Sequence, residues 1–142
     1  MQKQDFNKRT LTAGFVSPSW PLSKSSNGIV TYVHNILYGF KGETKTIVLA
    51  PLEGSEVEDK LIDLSKLLMN KNIFQRLIDK ILRHIPFLFA ESIQYQRSSV
   101  INAEKINLAL QNLSHPLDVL EIEESFGTPD FLLKMTKTPI IT

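Results

Sequence analysis

The stretch LTAGFVSPSWPLSKSSNGIVTYVHNILYGFKGETKTIVLAPL, residues 11–52, decides the fold. Its first seven residues form a short apolar run that prolines close at positions 18 and 21, as is typical of a buried strand. From Gly28 onward the apolar residues recur at helical spacing, and we expect Gly42 to stop this helix. Residues 45–52 are β-branched and continuously apolar, like a strand that is buried on both faces. The order strand, helix, strand predicts a right-handed βαβ unit.

The rest of the chain continues this alternation. Leucines at positions 61, 64, 67 and 68 predict a helix, and apolar residues spaced between positions 73 and 85 predict another. A third helix is expected over residues 91–113. Residues 116–124 predict a buried strand that ends in carboxylates. A short helix should follow, with Thr128 as its N-cap and Pro129 at its first position.

Four strands should therefore share one parallel sheet, namely residues 11–17, 46–50, 119–122 and 139–141. Strands that alternate with helices predict an α/β fold, here a three-layer Rossmann-like parallel sheet with helices on both faces. The length of 142 residues is that of a single domain, residues 1–142. In such sheets ligands bind beyond the carboxyl ends of the strands. The loop after the first strand lies at that edge, so it is a candidate ligand loop.

Composition excludes several classes of protein. Sixteen Lys and Arg against fifteen Asp and Glu leave a net charge of +1, so we expect no nucleic acid partner. The chain has no cysteine, which excludes disulfides, thiolate zinc sites and thiol nucleophiles, and no Asp/His cluster suggests a metal or cofactor. The N-terminus lacks the apolar core of a signal peptide, and no run approaches the roughly 20 apolar residues of a membrane span. These features predict a cytoplasmic protein.

The loop before Gly28 fits neither of two common phosphate motifs. A dinucleotide fingerprint needs GxGxxG, and this loop offers only Gly28. A P-loop needs GxxxxGK[ST], and no glycine precedes Lys24 at the required spacing. What remains is a Ser/Asn/Gly turn that enters a helix N-terminus, where free N–H groups and the helix dipole favour an anion. By its residues alone, this turn is either a ligand loop or an ordinary connection.

Two long segments resemble glycosyltransferase family 4, the glycogen-synthase-like group of the GT-B fold. Residues 15–40, FVSPSWPLSKSSNGIVTYVHNILYGF, resemble that family's opening strand, proline-bearing loop and glycine pair before a helix of the type GGIxxYVxxLAxxL. Residues 115–142, HPLDVLEIEESFGTPDFLLKMTKTPIIT, resemble its PDVVExPExxGxAxxxxxxxxxPVVVRLH, and residues 92–110 resemble the helix before that strand. The chain departs from the family at Asn27, which replaces the first glycine of the pair and is a residue type that tolerates left-handed backbone conformations.

This resemblance implies the N-terminal, acceptor-side domain of a retaining glycosyltransferase. Such an enzyme transfers a sugar from a nucleotide-diphosphate sugar to a hydroxyl of a carbohydrate or lipid-linked acceptor, without a metal ion. The amides of Asn27 and Gly28 would face the donor phosphate, whose developing charge they would stabilise. Trp20, Glu123 and Glu124 would lie at the acceptor cleft. The family's C-terminal donor-binding domain and a histidine would follow Thr142, so this chain alone is expected to be inactive.

Several features of the sequence allow two interpretations each. Trp20 either stacks on a sugar or packs the loop down, and Lys24 either approaches a phosphate or is an ordinary surface lysine. The basic and apolar segment 71–89 is either a surface helix or a peripheral membrane contact. Strand alternation points Glu121 and Glu123 to one side and Glu124 to the other, and these carboxylates either bind a ligand or are solvated. For the whole chain, the alternative to the enzyme domain is a non-catalytic Rossmann-like binding or interaction module.

Overall fold

Among the described residues, the strands of this protein form one sheet in which every pairing is parallel. The computed structural model describes residues 10–25, 27–40, 44–53, 60–67, 87–124 and 127–142. Its elements, in chain order, are β1 (Leu11–Val16), α1 (Gly28–Gly39), β2 (Thr44–Ala50), β3 (Leu61–Asp63), α2 (Phe87–Gln111), β4 (Val119–Glu121), α3 (Thr128–Leu132) and β5 (Ile140–Ile141). The strand order across the sheet is β3-β2-β1-β4-β5. The four predicted strands are therefore confirmed, with bounds within two residues of those expected.

Strand β1 is the centre of the sheet. It pairs with β2 from Leu11 opposite Thr44 to Val16 opposite Leu49, and with β4 on its other edge. The chain moves outward from β1 through β2 to β3, and then returns to the opposite side for β4 and β5. The strand order thus reverses at β1, and that reversal leaves a crevice at the carboxyl edge of the sheet.

Helices cover both faces of the sheet, as predicted. Alternate residues of β1 and β2 pack against α1 in a cluster that we call the α1 core: Ala13, Phe15, Trp20, Val30, Val33, Val48 and Ala50. The intervening strand residues face α2 and α3 in a second cluster, the α2 core: Leu49, Leu64, Ala103, Ile106, Ala109, Leu117, Leu120, Ile122 and Leu132. The α2 residues in this cluster recur every three positions, which places them on one side of that helix.

The helix predicted from the leucines at 61–68 is wrong over residues 61–67, where the chain forms β3 and then a turn, and Leu68 lies outside the described residues. Leu61, Ile62 and Asp63 pair in parallel with Val48, Leu49 and Ala50. Asp63 then ends the strand, because its Oδ1 accepts hydrogen bonds from the Ser65 amide (2.9 Å) and the Ser65 hydroxyl (2.6 Å). A three-residue strand is too short to show alternation, so sheet pairing outweighed a leucine spacing that local sequence favours as helix.

Helix α3 begins one residue earlier than predicted. Thr128 is its first residue and not its N-cap, which is Gly127 in the left-handed conformation with a φ of 61°. The side chain of Thr128 is buried instead of capping the helix. Pro129 lies in the first turn, as expected. Gly127 adopts this positive φ without strain, and it has no side chain that could cap the helix.

The other helix predictions differ in their outcome. Helix α1 begins at Gly28 as expected but ends at Gly39, and Gly42 lies outside the described residues. Helix α2 confirms the predicted third helix and begins four residues earlier. The helix predicted from residues 73–85 falls outside the described residues. Among the helices of the described part of the chain, none combines the length and apolar character needed to cross a membrane.

Gly14 permits the close packing of β1 on the α2 core. A Cβ at this position would meet the side chain of Leu117, and would lie 2.9 Å from Leu120 Cδ1 and 3.4 Å from Leu49 Cδ1. We expect Gly14→Ala to lower the free energy of unfolding by about 1–3 kcal/mol, since the side chains of Leu117 and Leu120 would have to shift. Urea denaturation measures this change. Gly39→Ala is the matched control, because a Cβ there has nothing within 4 Å, and equal stability of the two variants would contradict this account.

Asp63 makes the stability of the β3 end dependent on pH. Burial acts to raise the pKa of this carboxyl, but hydrogen bonds from Ser65 and Leu52 and the neighbouring Lys66 ammonium outweigh it, so the pKa lies below its ordinary value of 3.8. A lowered folded-state pKa stabilises the protein above the unfolded-state pKa, and this stabilisation is lost as the pH falls through the folded-state value.

Asp63→Asn should therefore cost about 1 kcal/mol of stability at neutral pH, where the charge-assisted hydrogen bonds are intact. The difference from the parent should shrink as the pH falls below 3.8. Urea denaturation at a series of pH values measures this gap. A gap that stays constant into acid would show that the charge of Asp63 contributes nothing.

Candidate functional site

A cleft opens at the carboxyl edge of the sheet, at the point where the strand order reverses. It is lined by the residues that end or follow β1, β2 and β4, including Val16, Ser17, Pro51 and Ile122. Ile29 in the first turn of α1 forms another part of its wall. The cleft has a volume of about 180 Å³, so it holds more than single water molecules. It lies where open parallel sheets bind their ligands, as predicted.

Besides Ser17, four polar residues line this cleft, and the sequence predicted only one of these four as a site residue. Glu123 follows β4, Asn102 and Lys105 lie on α2, and Thr128 begins α3. Asn102 and Lys105 are three residues apart, so they share one side of α2 beside the buried Ile106. Their spacing next to an apolar stripe was visible in the sequence. What placed them at the cleft was the packing of α2 across the sheet, which no local pattern reports.

Thr128 is the most buried of these polar residues, with 3% of its surface exposed. Its hydroxyl makes no hydrogen bond to any other described residue. Thr128 therefore contributes a hydroxyl-bearing residue to the lining of the cleft.

Asn27 is the N-cap of α1, a role that the sequence interpretation missed. Its backbone is extended, with φ −137° and ψ 150°, and its side-chain Oδ1 accepts a hydrogen bond from the Ile29 amide at 2.7 Å. The left-handed conformation for which asparagine is suited is thus not used here. The cap satisfies one of the free N–H groups of the first turn. An anion at this helix start would find that amide already occupied.

Gly28 is exposed and follows the cap directly. It has no positive φ, and a Cβ built on it meets nothing within 4 Å. Neither backbone conformation nor packing within the described residues thus requires a glycine at this position. The first turn of α1 also contains no acidic residue that would repel an anion. Gly28 itself is not among the residues that line the cleft, although its neighbour Ile29 is.

Trp20 packs the loop down and does not line the cleft. It is 3% exposed, belongs to the α1 core, and has its ring centroid 6.1 Å from that of His34. Its indole Nε1 is buried and has no hydrogen-bond partner, like Nδ1 of His34. A sugar could stack on this indole only after the loop had moved. The position of Trp20 therefore agrees with the interpretation that it packs the loop down, and not with stacking on a sugar.

Hydrogen bonds hold the loop after β1 in place. Trp20 N donates to Pro51 O at 3.0 Å, and Glu53 N donates to Trp20 O at 2.7 Å, so the loop continues the alignment of β1 with β2. The hydroxyl of Ser17 donates to Ser19 O, and that of Ser19 donates to Ser25 Oγ at 2.6 Å. The loop thus presents a preformed rim to the cleft.

The three carboxylates of the β4 region separate in the structure. The Tyr32 hydroxyl donates to Glu121 Oε1 at 2.6 Å, and this bond, with burial and the carboxylate charge, raises the pKa of Tyr32. Glu121 therefore lies on the α1 side of the sheet. Glu123 lines the cleft, whereas Glu124 is exposed and accepts, through its carbonyl oxygen, a hydrogen bond from the Gly127 amide. Of these carboxylates, only Glu123 reaches the cleft.

Three further expectations concern Lys24, a metal site and a membrane contact. Lys24 is exposed in a turn and is not among the cleft residues. No group of three or more metal-binding side chains occurs among the described residues. The possible membrane contact concerns residues 71–89, most of which lie outside the described residues, so it stays a prediction.

Comparisons of the chain with protein-family models, with curated proteins and with solved structures found no match. The geometry of the site and the resemblance in its motifs therefore carry the functional interpretation.

The cap of α1 can be weighed by substitution. Asn27→Ala should destabilise the protein by about 0.5–2 kcal/mol, because the Ile29 amide loses its acceptor. Asn27→Gly should cost only about a few tenths of a kcal/mol. Thermal unfolding of both variants measures the difference. If alanine proved as stable as asparagine, the hydrogen bond to Ile29 would contribute nothing to the folded state.

Proposed function

We propose that this chain is the acceptor-side domain of a retaining glycosyltransferase that uses a nucleotide-diphosphate sugar. The observation that carries the proposal is the cleft at the strand-order reversal, where the start of α1 meets the carboxyl ends of β1, β2 and β4. The motif resemblance concerns the same places, namely the loop before Gly28 and the residues after β4. Fold and motif thus agree on where a ligand would bind.

The start of α1 suits the phosphate of such a donor. When the sugar is transferred, the leaving diphosphate gains negative charge, and backbone N–H groups at a helix N-terminus stabilise that charge. Thr31 N donates to Asn27 O as the first intrahelical bond, so the amides of Gly28 and Val30 have no partner within the helix. Gly28 carries no side chain that would keep a phosphate away.

The size of the cleft agrees with an active site that two domains enclose together. Its volume of about 180 Å³ is below the roughly 300–1,000 Å³ of pockets that enclose a whole small-molecule ligand. A cleft of this size accommodates part of a ligand, while another surface would enclose the rest. That arrangement agrees with a two-domain enzyme whose donor-binding half is separate, and it implies that this chain alone transfers no sugar.

Titration of the isotope-labelled chain with uridine diphosphate, followed by NMR, tests the proposal. The amides of residues 28–30 should shift with uridine diphosphate and should not shift with uridine. Gly28→Val should weaken binding by about tenfold or more, since the side chain occupies the approach of the phosphate. Gly39→Val is the matched control, because both glycines belong to α1 and both have open space around a Cβ.

The result that would contradict the proposal is a folded Gly28→Val variant that binds uridine diphosphate as the parent does. Circular dichroism and thermal unfolding establish that both valine variants are folded. Equal losses of binding in the two variants would also contradict it, because the effect would then come from the helix and not from the phosphate approach.

A second candidate, the non-catalytic binding or interaction module, is favoured by the Asn27 cap. Because Asn27 occupies the Ile29 amide, the helix start offers fewer free donors than a glycine pair would. Asn27→Gly distinguishes the candidates, since it frees this amide at little cost in stability. An enzyme domain should bind uridine diphosphate more tightly after this substitution, whereas a module without a phosphate site should bind it neither before nor after.

A further inference from the structure

The peptide bond between Asn27 and Gly28 has the chemistry of a modification site. Asn27 is the only asparagine of the chain that a glycine follows, and both residues are exposed. We propose that Asn27 is a deamidation site, where the side-chain amide becomes a carboxylate, and that the N-cap of α1 controls the rate. The reaction needs only water and no ligand, so it is independent of the proposed function.

The reaction has two steps, and neither involves oxidation or reduction. First, the Gly28 amide nitrogen loses its proton to solvent base and attacks Cγ of Asn27. The N–Cγ bond forms, the Cγ–Nδ2 bond breaks, and Nδ2 leaves as ammonia with a proton from water. Second, water opens the resulting succinimide ring at one of its two carbonyl carbons. Opening at Cγ gives aspartate, whereas opening at the main-chain carbonyl carbon of Asn27 gives isoaspartate.

Gly28 makes the attacking nitrogen accessible. No Cβ shields this nitrogen, and the space where a Cβ would lie is empty within 4 Å. The nitrogen also belongs to the first residue of α1, where the helix dipole favours the negative charge that it gains on deprotonation. Asn35 is exposed too, but it lies inside α1 and precedes Ile36, whose β-branched side chain crowds the corresponding nitrogen. Asn35 should therefore react much more slowly.

Three hydrogen bonds hold Asn27 away from the reactive geometry. The ring closes only when Cβ of Asn27 and the Gly28 nitrogen are nearly eclipsed about the Cα–C bond, and a ψ of 150° keeps them apart. The side chain is fixed by the bond from Ile29 N to Oδ1 at 2.7 Å. The carbonyl is fixed by Thr31, whose amide and hydroxyl both donate to Asn27 O, at 2.9 Å and 3.0 Å. The reaction therefore requires local opening of the helix start.

The two products change the helix start in opposite directions. Aspartate keeps the backbone and can accept from the Ile29 amide as asparagine does, and its charge interacts favourably with the helix dipole. Isoaspartate carries the chain through Cβ and Cγ, which adds a backbone atom before Gly28 and removes the side chain that caps the helix. Deamidation thus leaves α1 either better capped or uncapped.

Incubation of the whole chain in mildly alkaline buffer, followed by tryptic digestion and tandem mass spectrometry, tests the proposal. Cleavage after Lys24 and Lys41 gives one peptide that contains both Asn27 and Asn35, so Asn35 is an internal control. In the folded chain, Asn27 should gain the mass of an amide-to-acid conversion faster than Asn35 does. In denaturing guanidinium chloride the rate at Asn27 should rise by about tenfold or more, because the three restraining hydrogen bonds are lost.

Substitutions distinguish the attacking nitrogen from the hydrogen bonds that restrain it. Gly28→Ala should slow the conversion of Asn27 toward the rate of Asn35, because the added Cβ crowds the nitrogen. Gly39→Ala, the same change elsewhere in α1, should leave the rate unchanged. Thr31→Val removes one restraining hydrogen bond at nearly constant shape and should speed the conversion by about two- to tenfold. Thr31→Ser keeps the hydroxyl and should react as the parent does.

The aspartate product can be made directly as Asn27→Asp. Its midpoint of thermal unfolding at neutral pH should lie above that of the parent, because the carboxylate caps the helix and carries the favourable charge. Asn35→Asp makes the same change in the middle of α1 and should give no such rise, since the dipole effect is confined to the terminal turns.

Each of three results would overturn the proposal. The first is that Asn27 converts no faster than Asn35 in the folded chain, which would mean that this peptide bond is not a modification site. The second is that the rate at Asn27 is the same in the folded chain, in guanidinium chloride and in Thr31→Val, which would mean that the cap does not control it. The third is that Asn27→Asp unfolds at a lower temperature than the parent.

Discussion

Strand β1 is hydrogen-bonded along both edges, and the remaining structure depends on that double pairing. One partner, β2, follows it after a single helix, whereas the other, β4, lies more than a hundred residues further along the chain. At the amino end of β1 this long-range pairing is secured by two hydrogen bonds, from Thr12 N to Asp118 Oδ2 at 2.8 Å and from Asp118 N to Thr12 O at 2.9 Å. Because β2 and β4 lie on opposite sides of β1, the strand order reverses at β1, and a cleft opens at its carboxyl end.

The central position of β1 also constrains the packing on each face. Gly14 has no room for a Cβ under Leu117 and Leu120, and Phe15 points to the opposite face, into the α1 core. Close approach on one face and a large aromatic on the other hold α1 and α2 at defined distances from the sheet. The cleft lies between these helices, so the placement of Ile29 and of Lys105 at its walls follows from the packing of the two cores.

Stability and binding compete at the start of α1. The side chain of Asn27 stabilises the helix by accepting from the Ile29 amide, and the same bond removes a donor from a prospective anion site.

The sequence by itself determined the strands, their parallel direction and the existence of α1, because each depends on apolar periodicity or on β-branched runs within a few residues. It also located the ligand edge of the sheet, since that follows from the βαβ order alone. It did not reveal β3, where three residues are too few for a periodic pattern, and it placed Trp20 and Glu124 at a cleft that neither lines. Only the tertiary structure brought Asn102, Lys105 and Thr128 to Glu123. These residues lie on different elements, and their meeting depends on how α2 and α3 pack across the sheet, which is a property of core shape and not of any local sequence pattern.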